Sequence, residues 1–333
     1  MGNRLRSILV IREFVRLFSE NYTDPTYPSM NNELLQRLRD VQGKADWWEA
    51  IKADAAGQVS KSKSCFLAVR TKSIEAYFQG GLVADIRLQR GELTVRGNRK
   101  FLFPTAAHAS ATVELRHADE MQATAEMRSC FDSWKLADRF QNVKRAAALL
   151  MGSEKEGIQK ALVESNPNIL DLEIAVRDEK SRIDLAAVRG TPDCPEIVHY
   201  EVKHVSNLEL FPGRGQPAKV VEQLTRYDTL IHKHEGLLRR RYKELAEAAL
   251  KLGLAPCFLR GLSPTKRQYR IDEATLFALA EGRFTLSPKA VLVVLGWERS
   301  PRPKVADAVN ELRNLHKRTV LTFGKQGQRG ISK

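Results

Sequence analysis

No stretch of about 18 consecutive apolar residues occurs in the 333-residue chain, so it offers no candidate membrane-spanning helix. The opening MGNRLRSILVIREFVRLF breaks its apolar stretch with Arg12, Glu13 and Arg16. Neither a secretory signal nor a membrane partner is therefore expected, and the expected location is cytoplasmic. Cysteine is scarce: Cys65, Cys130, Cys194 and Cys257 stand far apart with no C-x-x-C pair. That spacing argues against a zinc ribbon and against a disulfide scaffold, and leaves the thiols reduced. A basic tail is missing too, since residues 1–150 carry 23 basic and 17 acidic side chains and the remainder 31 and 23. Internal repeats and extended low-complexity tracts are also lacking.

What is present is a large basic excess, 54 Lys and Arg against 40 Asp and Glu, a formal charge of +14. A polyanionic partner is the leading electrostatic expectation, with simple solubility as the bland alternative. With 43% hydrophobic residues the chain can bury a real core, in roughly two or three domains at about 100 to 200 residues each. Helical periodicity marks residues 4–18 and 31–41, the latter through Leu34, Leu35, Leu38 and Val41. From Cys65 to Phe103 the runs CFLAVR, SIEAYFQ, LVADIRLQ, ELTVRG and KFLF alternate with Gly80-Gly81, Arg90-Gly91 and Gly97-Asn98, which predicts an antiparallel meander of four or five strands. Residues 119–150 return to a helical pattern closed by Gly152. The expected organisation is an α+β domain over 1–150, an α/β domain over 151–325 and a flexible tail over 326–333.

The second half predicts a helix from Ser153 to Val163 and then three strands, ILDLEIAV, RIDLAAV and IVHYEVK. A helix from Pro217 to about His232 follows, then a helix over 237–252 and a strand AVLVVLGW apolar enough to be buried on both faces. A helix near 304–315 and a strand TVLTF complete a mixed α/β pattern. RIDLAAV and EIVHYEVK flank the turn RGTPDCP. If the hairpin is centred between Pro192 and Asp193, Asp184 and Glu201 are equidistant from that centre and lie opposite each other. Facing side chains on paired strands have Cβ atoms about 4.5 to 5.5 Å apart, where like charges repel unless something positive lies between them. Lys203, two residues beyond Glu201, projects from the same strand face. Carboxylate oxygens suit Mg²⁺, with Mn²⁺ an alternative, and such an ion activates water and polarises a phosphodiester. The bland reading pairs the two acids with Arg182 and Lys203 on a solvated sheet face.

These residues carry a resemblance. Ile183-Asp184 followed by Glu201-Val202-Lys203 resembles the PD-(D/E)XK phosphodiesterase superfamily, with Ile183 where that pattern has proline. Gln223-Leu-Thr-Arg-Tyr227 is similar to the Q-x-x-x-Y helix of its RecB-like branches, and EGIQKALVESNPNIL to the helix of NucS-type and Shedu nucleases. The likeness covers about residues 150–235 and does not reach the first 150. It implies a restriction-endonuclease-like core, a mixed sheet flanked by helices, and a metal-dependent nuclease. Asp184, Glu201, Glu156 and the Val202 carbonyl would be metal ligands, with Lys203, Gln223 and Tyr227 joining the catalytic set. It further implies DNA in preference to RNA, endonuclease action in prokaryotic defence, and a homo-oligomer or an accessory defence protein as partner. A repair nuclease and a catalytically silent binding or assembly protein are the alternatives.

Each element also has a plainer role. Glu156 stands three residues after Ser153, the capping-box spacing, with Glu154 a nearby competitor. Gln223 and Tyr227, four apart on one helical face, either meet the phosphate or brace the site, and Tyr227 also fits the core series Val220, Leu224, Ile231. His199 and His204 lack metal-ligand spacing. Arg214, Lys219 and Arg226, continued by Lys233, Arg239 to Arg241 and Lys243, read either as a phosphate track or as a solvated helix face. Phe66, Tyr77, Phe78, Phe101 and Phe103 either stack bases or fill the meander core.

Overall fold

The computed structural model describes residues 31–58, 64–79, 81–98, 112–115, 144, 147, 162–163, 166–176, 182–213, 215–259, 271–297 and 303–324. The expected helices over 4–18, most of 119–150 and most of 153–163, the KFLF strand, the 326–333 tail, Glu156 and Arg214 lie outside the described residues.

Two helices open the described chain, α1 (Asn32–Asp40) and α2 (Asp46–Ala55). Asn31 caps α1, its side chain accepting from the Glu33 and Leu34 amides, and Leu34, Leu35 and Leu38 are buried as their spacing predicts. Five antiparallel strands follow in the order of the chain: β1 (Phe66–Val69), β2 (Ser73–Phe78), β3 (Gly81–Gln89), β4 (Glu92–Asn98) and β5 (Thr112–Leu115). Arg90 and Gly91, both at positive φ, form the two-residue turn between β3 and β4. Phe66 and Phe78 are core residues, not stacking platforms.

The second sheet has the order β11-β10-β8-β7-β6. Its members are β6 (Ile169–Ala175), β7 (Arg182–Thr191), β8 (Cys194–His204), β10 (Val291–Leu295) and β11 (Val320–Phe323), with the short β9 (Thr285–Leu286) beside β8. β6, β7 and β8 are antiparallel, whereas β10 runs parallel to both β8 and β11. Every residue of β10 is buried, as expected for a parallel central strand. Between β8 and β9 lie α3 (Lys219–Lys233), α4 (Glu235–Lys251), α5 (Ala255–Leu259) and α6 (Glu273–Ala280), and α7 (Pro303–Asn314) links β10 to β11. α3 turns Val220, Leu224, Tyr227, Leu230 and Ile231 inward and leaves Lys219, Glu222 and Arg226 outside.

The two halves share one apolar core. A single cluster runs from Leu34, Trp48, Ile74 and Phe78 through Leu224 and Tyr242 to Leu292. On the other face of the second sheet, Phe66 and Ala68 of β1 join Leu185, Tyr200, Val202 and Val293. The result is mixed α/β, with an antiparallel meander beside a mixed sheet that helices flank.

Candidate functional site

The β7–β8 hairpin places the acids. Its ladder runs from Thr191↔Cys194 back to Leu185↔Tyr200, so Pro192 and Asp193 form the two-residue turn and the next step brings Asp184 opposite Glu201. The centre inferred from the sequence is therefore the observed one. Gly190 makes the turn possible: it sits at φ +83°, and a Cβ there would lie 2.5 Å from the Cys194 carbonyl oxygen. Alternation along β8 sends Tyr200 and Val202 into the apolar layer with Phe66, and Glu201 toward α3.

Around Glu201 the side chains form a closed set. One carboxylate oxygen, Oε2, accepts from the Tyr227 hydroxyl at 2.7 Å, while Oε1 lies 2.7 Å from the Lys203 ammonium. Tyr227, fully buried, also reaches the Arg182 carbonyl, and its oxygen accepts from Gln223 Nε2 at 3.0 Å. Tyr227 is thus both a core residue and a brace on Glu201. Asp184 Oδ2 accepts from the Val202 amide at 2.8 Å, and the two carboxyls are close enough to share a hydrogen bond. The site is not a solvated sheet face, because Glu201 is 1% exposed and Lys203 is 9% exposed.

Burial and then the charge of Glu201 push the Asp184 carboxyl well above its ordinary range. Burial also raises Glu201, against the opposing pull of Lys203 and Tyr227. For Lys203 burial favours the neutral amine, but Glu201 and Glu209 outweigh it and hold the ammonium above its usual range. Tyr227 is raised by burial and by the adjacent carboxylates, so it stays a protonated donor. Burial and the Glu201 charge both favour the protonated form of Asp184, which shares its hydrogen bond with Glu201, and further positive charge between the two carboxyls would let both ionise.

Two acidic residues were not singled out from the sequence. Glu209, in a short 3₁₀ turn Leu208–Leu210 just after β8, lies 2.6 Å from the Lys203 ammonium, and its amide is capped by the Asn207 side chain at 2.9 Å. The Asn-x-x pattern signals a turn there, but not its closeness to Lys203. Glu173, at φ 50°, stands where the β6–β7 register faces Asp184, and its charge raises Asp184 further.

Other residues take plainer roles. His199 is fully buried, its Nε2 2.8 Å from the Tyr242 hydroxyl. His204 bonds Ser206 outside the site. The basic stretch divides: Arg239 stacks 4.8 Å over Phe284 and Arg241 pairs with Asp171, which makes both structural. Lys219 and Arg226, seven residues apart on α3, remain on its exposed side.

Two facing carboxylates suit a cation such as Mg²⁺, which takes one or two carboxylates and keeps several waters. Among the described residues no cluster of three or more His, Cys, Asp or Glu forms a metal cage. No family model, curated protein or solved structure matches the chain.

Proposed function

We propose that the chain is a metal-dependent nuclease that hydrolyses DNA phosphodiester bonds, an endonuclease of prokaryotic defence with a restriction-endonuclease-like core. One observation carries this reading: Asp184 and Glu201 face each other on paired strands, with the Lys203 ammonium 2.7 Å from Glu201 on the same strand face. A packed fold has no structural need for two adjoining carboxyls, since burial penalises the ionised form of each. The mixed sheet, with the acid-bearing hairpin near its centre and α3 packed over it, supports the same reading.

Asp184, Glu201 and the Val202 carbonyl would hold Mg²⁺ or Mn²⁺, which when bound supplies Lewis-acid polarisation of the phosphodiester and an acidified water. Lys203 meets the negative charge that develops on the phosphoryl oxygens. Tyr227 fixes the rotamer of Glu201 and Gln223 fixes Tyr227, so these two are positioning residues. Lys219 and Arg226 contact backbone phosphates, which makes affinity strongly dependent on salt and largely independent of sequence.

The test incubates wild type, Asp184→Ala and Asp184→Asn with linear, circular and single-stranded DNA and with RNA, in Mg²⁺, Mn²⁺ and EDTA, while binding is recorded. Expected is cutting of circular DNA that requires both the ion and Asp184, with rates at least about 10²-fold lower in either variant. Binding of equal strength by all three proteins with no cutting under any condition overturns the nuclease reading and leaves a nucleic-acid-binding protein.

A further inference from the structure

The Lys203 ammonium lies between two anions of unlike setting. Glu201 Oε1 is 2.7 Å away and its side chain is 1% exposed, whereas Glu209 Oε2 is 2.6 Å away and its side chain is 42% exposed. The buried anion belongs to the rigid part of the site. Glu201 lies within the β8 ladder, with its second oxygen bonded to Tyr227. The outer anion belongs to a single 3₁₀ turn on the rim, next to Leu208, which is 83% exposed.

From this geometry we infer that Lys203 is the resident counter-ion of the acid pair, and that Glu209 is the seat to which it moves when a divalent cation takes Glu201. The inference rests on the nuclease reading and adds to it a positioning residue that the sequence did not show. The ammonium contacts the Glu201 oxygen that a divalent ion would need. Two cations cannot share that carboxylate in a poorly solvated site without strong repulsion. The lysine stem has four rotatable carbons, so a small swing carries the charge from Glu201 to Glu209. Because Glu209 is already in contact, the ammonium stays at the edge of the site, where a phosphoryl oxygen can reach it. Without Glu209 the lysine either keeps Glu201 and excludes the ion, or leaves for solvent and is lost to the reaction.

The experiment measures Mn²⁺ binding by isothermal titration, alongside DNA cutting, for wild type, Glu209→Gln, Lys203→Met and the double variant. Circular dichroism confirms folding, and the exposure of Glu209 makes its substitution mild. Glu209→Gln is expected to weaken Mn²⁺ binding about tenfold, a size usual for coupled binding events. It also lowers kcat while leaving the KM for DNA nearly unchanged. Lys203→Met binds the ion more tightly than wild type and cuts nothing. In that background Glu209→Gln has no effect on Mn²⁺ affinity, because the cation it seats is gone.

The inference is overturned if Glu209→Gln binds Mn²⁺ as wild type does. It is equally overturned if the weakening persists in the Lys203→Met background, which makes Glu209 a direct ligand. Either result leaves the nuclease reading intact if wild type still binds and cuts. A wild type that neither binds the ion nor cuts DNA removes both.

Discussion

His199 occupies the same strand face as Glu201 and is fully buried, with Nδ1 lacking a hydrogen-bond partner among the described residues. Burial drives its pKa down to about 4, with Asp171 pulling the other way, so the ring is neutral at pH 7. The unfolded chain regains the ordinary value near 6.5 and binds the extra proton between these limits. Folding stability from this residue is therefore fully present above pH 6.5 and lost as pH falls toward 4, by up to about 3 kcal/mol. Urea denaturation at pH 7 and pH 4.5 checks this with His199→Leu, which cannot titrate. The deficit of the variant at pH 7, about 1 to 3 kcal/mol from the unpaired Tyr242 hydroxyl, is expected to shrink or reverse at pH 4.5. A deficit that stays constant shows that His199 does not titrate on unfolding. At this scale the sequence revealed Asp184, Glu201 and Lys203, because strand alternation and a two-residue turn are enough to place them. Glu209 and Glu173 were not legible, since their nearness to the site depends on how a rim turn folds back and on a positive φ within β6.

The β7–β8 hairpin is the element on which the site depends, because its register decides whether two carboxyls meet or point to opposite faces. Gly190 is the position where that register is most easily broken. A methyl group added there would meet the Cys194 carbonyl at 2.5 Å, and φ +83° is costly for any L side chain. Gly190→Ala is expected to lower stability by about 1 to 3 kcal/mol. It should also weaken Mn²⁺ binding, although the residue lies at the far end of the hairpin from Asp184 and Glu201. Calorimetric melting and isothermal titration of the same preparation measure both effects. Loss of stability with unchanged ion affinity indicates that the strain is absorbed at the turn and never reaches the acids. The elements themselves were largely readable: β6, β7, β8, β10, β11, α3, α4 and α7 fall within a few residues of their predicted spans, since each carries a clear period or a continuous apolar run. The short β9, α5 and α6 were not, because segments of two to eight residues hold too few positions to show a period.

Across the whole molecule, the meander and the mixed sheet meet along β1 and β6, and the contact is ionic as well as apolar. Asp171, fully buried on β6, is held by Arg70 from the end of β1 and by Arg241 of α4 at 2.8 Å. Arg70 also donates to the Leu172 carbonyl and pairs with Glu75 at 2.8 Å, which in turn accepts from the Tyr77 hydroxyl at 2.9 Å. These partners are 101 and 70 positions apart along the chain, so no local pattern announces them. Removing one member leaves a buried carboxylate short of charge, a loss of about 3 to 5 kcal/mol. Arg70→Met keeps the volume of the stem and removes the guanidinium. Because one apolar cluster runs through both halves, that loss is expected to spread beyond the joint. Hydrogen exchange measured by mass spectrometry follows β2 and β3 on one side and β10 on the other, none of which carries a residue of the ion network except Glu75 and Tyr77 in β2. If the halves unfold as one cooperative unit, slow-exchanging amides of β3 and β10 lose protection by the same factor. If β3 loosens while β10 keeps its protection, the shared core does not couple the halves, and the acid site is carried by a unit that is stable without the meander.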